Sequence, residues 1–330
     1  MSRYLLLKDI SVQNANAIAG LTYGFPAMTN FLGFAHALSR KLPSELAITL
    51  GGVAVISHEN MVHARQPKEW GDYVFALTRN PLIPDKKKKE EFVPPPFNEE
   101  GRMNMTISLL IEVHGLLGGA MYQEDQLVND VENILPKLRI AGGQITQIGS
   151  ISLTNKEEDK KVLRRLMPGF VLLDRSEYLT EHVKNKHEQG EQISVFDAWC
   201  DFYKVKYQAT RVKSEAEDQG ELSNKAKWEF VKKPQMGYLV PIMSGYCAIS
   251  PLYEAGKIDN VRDTTVPVAF AEAAYGIGEW MSPHRLTSIN DAIWCYEHSE
   301  SWYVAKTKPF IDPIIELSMD EFDENAAMKF

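Results

Sequence analysis

Apolar positions fall into two periods along the first 153 residues. Tyr4 to Val12 (YLLLKDISV) is a short apolar run that passes into alternation, and Leu46 to Ile56 (LAITLGGVAVI) repeats the pattern. Both predict strands. Between them Phe31, Phe34, Ala35 and Leu38 recur at three- and four-residue spacing on one helical face. Pro26 suits a first turn, and small Gly33 and Ala37 are expected to allow close packing. Met103 to Val113 (MNMTISLLIEV) predicts a third strand, Gln123 to Leu138 a second helix despite Pro136, and Gln144 to Leu153 a fourth strand.

The resulting order, β-α-β-β-α-β, is the ferredoxin-like or RNA-recognition-motif arrangement, with four antiparallel strands and both helices on one face. The other face is then available for a ligand. His58 to Glu100 interrupts this order with WGDYVFALTRNPL, a lysine run at Lys86 to Lys89 and VPPPF. It is too long for a simple hairpin and predicts a protruding β-ribbon. Beyond Leu153 the pattern predicts helices at Lys156–Met167, Ser176–Lys186 and Ile193–Lys204, a loop near Ser214–Lys227, and extended chain at Tyr238–Ile249. A helix pair is expected near Val268–Trp280 and Pro283–Glu297. The fold class is α+β, with a mixed, largely helical C-terminal half.

Composition narrows the chemistry. The 330 residues are 44% hydrophobic, enough for a large core. The apolar run of MSRYLLLKDISV is broken by Lys8 and Asp9, so neither a cleaved signal nor a membrane span is expected, and cytoplasm is the expected compartment. Cys200, Cys247 and Cys295 share no metal-like spacing and are read as buried thiols. The net charge of −8 argues against nucleic acid until its placement is noticed: Ile311 to Phe330 holds six acids against Lys329, so most of the excess sits in the tail. That tail is a solvated end, a docking strip or a guard over a basic groove.

His58 and His63 are five apart with no third ligand nearby, and no G-x-S-x-G, P-loop, H-E-x-x-H or dinucleotide fingerprint occurs. No metal, cofactor or catalytic residue is therefore assigned. His36 reads as a structural histidine packed in its helix. His284, in SPHR, sits where Ser282 caps a helix start and the first-turn amides, His284 and Arg285 together meet a phosphate, unless the segment is simply a capped helix.

Side chains suited to RNA are easier to find. Gln13, Asn14 and Asn16 follow the first strand, and their amides both donate and accept, as the edges of unpaired bases require. Tyr23 and Phe25 flank Gly24 in TYGFP, a turn that either stacks on splayed bases or plugs its own core. Arg139 precedes Ala141-Gly142-Gly143-Gln144, a bare turn whose amides can approach a phosphate beside a guanidinium.

The segments QNANAIAGLTYGFPAMTNFLGFAHAL, LTRNPL, EEGRMNMTISLLIEVHG, LRIAGGQI, LMPGFVLL, GYLVPIMSGYCAISPLY and GEWMSPHR, in this order, resemble the Cas-five-type (Csy-two) subunits of subtype I-F CRISPR-Cas surveillance complexes, up to about residue 310. The family belongs to the RAMP superfamily. The resemblance implies a palm at 1–57 and 101–153, a thumb at 58–100, a C-terminal region at 154–310 packed on the palm, and an acidic tail at 311–330. It implies a non-catalytic subunit that holds the repeat-derived 5′ end of the guide RNA, pairs with the large subunit, adjoins a backbone subunit and meets target DNA through the assembled complex. Gly142 and Gly143 would then be the superfamily's glycine-rich RNA-facing loop. Arg79, Arg139 and Arg285 would hold phosphates, with Asn80 beside Arg79. The alternative is a metal-independent endoribonuclease for precursor guide RNA with His36 or His284 as acid or base. The lysine run, the triple proline and the tail depart from the family pattern.

Overall fold

The computed structural model describes residues 3–76, 82–84, 91–94, 100–115, 121–155, 158–211 and 226–307. The lysine run, the triple proline, Arg79, Asn80 and the acidic tail lie outside them. The N-terminal part runs β1 (Arg3–Asn16), β2 (Ile18–Ala19), β3 (Thr22–Tyr23), α1 (Met28–Ser39) and β4 (Thr49–Val62). Two short ribbons follow, β5 (Ala64–Arg65) with β6 (Val74–Phe75) and β7 (Ile83–Pro84) with β8 (Phe92–Val93). Then come β9 (Arg102–His114), α2 (Met121–Ile134), β10 (Arg139–Ile140), β11 (Gly143–Gln147) and β12 (Ser150–Asn155).

β1 lies at the centre of this part, paired with β9 on one side and with β11 and β12 on the other, and β4 pairs with β9. All these pairs are antiparallel. The expected fourth strand is split because Asp9, at φ 53°, bulges β1, and Gly149 N donates to the carbonyls of both Lys8 and Asp9 at 3.0 and 3.2 Å. One face of the sheet packs Leu5, Leu7, Ile107, Leu109 and Ile111 against both helices, through Phe31, Phe34 and Leu38 of α1 and Leu127 and Val131 of α2.

The other face is not free along its whole length, contrary to the expectation from the element order. Tyr4, Leu6, Ala54, Ile56 and Leu110 are covered by α3 (Asp159–Arg165) and by the turns around Leu286 and Ile289. Among the described residues, only its far end, beyond the Asp9 bulge, stays polar and accessible. Two smaller expectations change with this. A methyl added at Gly33 would meet nothing within 4 Å, so this glycine serves no close packing, and His36 is exposed on the solvent side of α1.

The C-terminal half extends the same sheet with β13 (Phe170–Asp174), and after α4 (Glu177–Glu188) and α5 (Val195–Cys200) comes a separate ribbon, β14 (Lys206–Arg211) with β15 (Ala226–Val231). The sheet then continues through β16 (Leu239–Ala248), β17 (Ala271–Met281), β18 (Cys295–Ser299) and β19 (Trp302–Lys306), reaching eleven strands. This half is therefore not largely helical. The expected helix over 268–280 is β17, and 283–297 is two 3₁₀ turns and β18. Ala- and Glu-rich AEAAYGIGEW favours helix by propensity, but pairing with β13 and β16 on both sides overrides it. Its glycines fit that role: a methyl at Gly278 would stand 2.8 Å from Ile242 Cγ2. Among the described residues, no helix is long and apolar enough to cross a membrane.

Candidate nucleic-acid interface

The segments QNAN and AGG, far apart in sequence, meet at the polar end of the sheet. Ala141 and Gly142, at φ 48° and 75°, form a two-residue turn between β10 and β11, and both positive angles match the tight hairpin type whose twist suits its strands. Asn16 N donates to Ala141 O at 2.8 Å, which ties this turn to the end of β1. Gly143 sits where a methyl would lie 2.7 Å from Gln13 O and 2.8 Å from Ala15 N, so only glycine lets the two backbones approach.

Register then aligns the side chains. Gln13 is opposite Gln144, and Gln144 is opposite Arg139, so two amides and a guanidinium form one lateral row, all exposed. Arg139 Nη1 reaches Gly142 O at 3.4 Å, leaving most of its donors to solvent. Asn14 is exposed at φ 54°, its N–H donating to Asn104 Oδ1 at 3.1 Å. Asn16 is committed elsewhere: its Nδ2 donates to Ile18 O at 2.8 Å and its Oδ1 accepts from Ile18 N at 3.2 Å. It therefore shapes the turn rather than facing a ligand.

Arg102 and Asn104, which no sequence motif singles out, complete this surface. Arg102 is paired with Glu100, and its Nη1 donates to Asn14 O at 3.4 Å. Residues 102 and 104 share a face of β9, opposite Met103 and Met105 of the core, and that alternation is the available signal.

The two aromatics of TYGFP part company. Tyr23, on the β2–β3 hairpin, is 74% exposed and meets Phe75 edge-on at 5.8 Å. Phe25 turns inward, stacked on Phe31 at 5.6 Å and edge-on to Trp280 at 4.9 Å. Between this hairpin and the β13–β17–β16 sector lies a cleft of about 550 Å³, walled by Phe25, Phe170 and Trp280, with Tyr23 and Tyr238 at its edge. Of the two alternatives for the turn, Tyr23 takes the exposed one and Phe25 the packed one.

His284 and Arg285 stand apart from this rim, in a 3₁₀ turn (Pro283–Arg285) that packs against α3 on the other face. Ser282 makes no side-chain cap there; its hydroxyl meets His284 Nδ1 at 2.8 Å, and Arg285 is half-buried. His36 and His284 are not brought together. His58 joins Ser108 Oγ and Pro168 O, each at 2.7 Å, with Asp9 Oδ1 at 3.6 Å. Ser108 is fully buried and Asp9 and Ser108 share one ring nitrogen, so this cluster braces the bulge and is no nucleophile arrangement. Among the described residues no disulfide joins the cysteines; Cys295 is exposed, and Cys200 and Cys247 are half-buried rather than fully buried.

Residues 5–305 match the profile of the family described as CRISPR-associated protein (Cas_Csy2). The chain is also 35% identical over 312 residues to the CRISPR-associated protein Csy2 of Pseudomonas aeruginosa (strain UCBPP-PA14), covering 90% of this chain and 91% of that protein. A match that runs from β1 to β19 and includes both the rim and the cleft assigns the whole described fold, and the chain belongs to the Cas_Csy2 family of CRISPR-associated proteins.

Proposed function

We propose that the chain is a non-catalytic guide-RNA-binding subunit of a subtype I-F surveillance complex in antiviral defence. It holds the repeat-derived 5′ end of the guide RNA at the polar end of the sheet, beside the large subunit and an adjacent backbone subunit, and meets target DNA only through the assembly. One observation carries this reading: the exposed row of Gln13, Gln144 and Arg139, built by the register of three strands and fixed by the Ala141–Gly142 turn. Amides that donate and accept suit bases, and the guanidinium suits a phosphate.

The lateral order β11/β12–β1–β9–β4, with α1 and α2 on one face, supports an RNA-recognition-motif palm at 1–57 and 101–153. The remaining divisions are a thumb at 58–100, a C-terminal region at 154–310 that continues the palm sheet, and a tail at 311–330. The protein acts in the cytoplasm.

The test is the salt dependence of RNA retention by the complex purified from its host through a tag on this chain. Removing one phosphate contact to a single strand by Arg139→Ala lowers the slope of log affinity against log salt by about 0.7. Absence of RNA from the purified complex, or an unchanged slope, overturns the assignment.

A further inference from the structure

We propose that the cleft beside the β2–β3 hairpin receives one extruded, unpaired nucleobase of the bound RNA, with its ribose and phosphates outside. This rests on the RNA-binding reading above and assigns a separate pocket within it.

Size and lining come first. About 550 Å³ lies within the range of small-ligand pockets and takes a single base, but no duplex. Among the described residues no charged side chain lines it, so phosphates are disfavoured while apolar and aromatic walls are available to a flat ring. Phe25 is fixed edge-on against Trp280 at 4.9 Å, and Tyr23 and Tyr238, 74% and 71% exposed, stand at the edge of the cleft as stacking surfaces.

Unused polar groups decide the kind of guest. The indoles of Trp199 and Trp294 both donate to backbone carbonyls, at 2.9 Å to Gly276 O and 2.8 Å to Leu172 O. That of Trp280, which lines the cleft, has no partner among the described residues. Asn60, also in the lining, uses its amide among the described residues only in a 3.4 Å bond to Ser57 Oγ. An apolar side chain from a partner would bury these groups unsatisfied, and each would then carry its full desolvation cost. A base edge carries acceptors for the indole N–H and both roles for the amide, so it removes that cost.

Position agrees. Asn16 pins Ile18 through two hydrogen bonds, and Gly24 N donates to Ala17 O at 2.8 Å, so the hairpin bearing Tyr23 is held directly to the strand end that forms the rim. The row of Gln13, Gln144 and Arg139 faces the side of the sheet opposite α1, whereas the pairing of Asn60 with Met105 puts the cleft on the α1 side, so RNA passing the row enters the cleft by rounding the strand end at this hairpin.

The experiment irradiates the RNA-containing complex with short-wavelength ultraviolet light, which links bases to the aromatic rings they stack on, and maps the linked peptides. Links at Tyr23, Tyr238 or Trp280 are the expected result. Links confined to the rim around Gln13 and Arg139, or a partner protein's side chain cross-linked into the cleft, overturn the pocket and leave the RNA-binding reading standing. Absence of RNA from the complex overturns both. Trp280→Phe removes the N–H and leaves a smaller aromatic ring, so RNA release is expected to quicken by roughly 3- to 10-fold beyond what any fall in melting temperature accounts for; release that changes only with melting temperature overturns the assignment of the indole.

Discussion

The β1–β9–β4 sector and the β14–β15 ribbon both carry large apolar side chains and treat them in opposite ways. In the first, Leu5, Leu7, Leu109 and Ile111 are wholly buried against α1 and α2. In the second, Tyr207, Trp228 and Phe230 line one face of a two-stranded ribbon and remain 61%, 67% and 53% exposed. A ribbon of two strands does not stabilise itself, and an exposed aromatic face of this kind marks a contact surface. The first region completes its core within the chain. The second has a face that the described residues leave uncovered, as suits a subunit.

The strongest way to break that contrast is to truncate one side chain in each region. Leu109→Ala removes buried methyl groups between two strands and a helix layer and is expected to cost about 3 kcal/mol in a urea melt of the purified chain. Trp228→Ser is expected to change stability by less than about 0.5 kcal/mol while lowering co-purification of partner subunits. Equal destabilisation by the two would mean that the ribbon's rings are part of the core, and the comparison would fail.

The same contrast explains what is legible in the sequence. Runs such as YLLLKDISV and MNMTISLLIEV declare their strands because burial on a fixed face imposes the period, and both N-terminal helices are readable for that reason. β17 is not, since the alanines and glutamates of AEAAYGIGEW satisfy a helix locally and only the neighbours Ile242 and Leu172 require strand there. β14 and β15 escape notice because an unburied face imposes no pattern. At the candidate site, Gln13, Arg139 and Gln144 are legible as chemistry, whereas their alignment in one row depends on register across three strands. Trp280 is invisible as a cleft wall because its meeting with Phe25 spans 255 positions.

A second test addresses how the ribbon is tethered. Asp201, buried at the end of α5, accepts from Lys206 at the start of β14 and lies 3.1 Å from His182 Nε2 and 3.2 Å from Lys204 Nζ. Burial pushes its carboxyl up from 3.8, but the hydrogen bonds from Lys206, His182 and Lys204 outweigh this and hold it at about 2. A folded value below the unfolded one means stability that is complete above the unfolded value and lost as pH falls from about 4 to about 2. Discounted for the partly exposed lysines, the effect is about 1–2 kcal/mol. Asp201→Asn is expected to lower the melting temperature at pH 7, with the gap to the native chain closing towards pH 2. A gap independent of pH would remove the charge network as the anchor.

The smallest effect separates shape from recognition at the rim. Gly142 stands at φ 75°, and the nearest atom to a methyl added there would be Arg102 Nη1, 3.7 Å away, so conformation rather than space requires glycine. Gly142→Ala is expected to cost about 1 kcal/mol through its positive φ, and Gly142→Asn less, because asparagine tolerates that region. If the turn is only structural, RNA retention follows stability and the asparagine variant behaves nearly as the native chain does. If the bare turn lets a phosphate approach its amides, the asparagine variant keeps its melting temperature and still releases RNA faster, since the added side chain stands where the phosphate must come. Equal RNA retention by native and asparagine chains would leave recognition to the side-chain row alone.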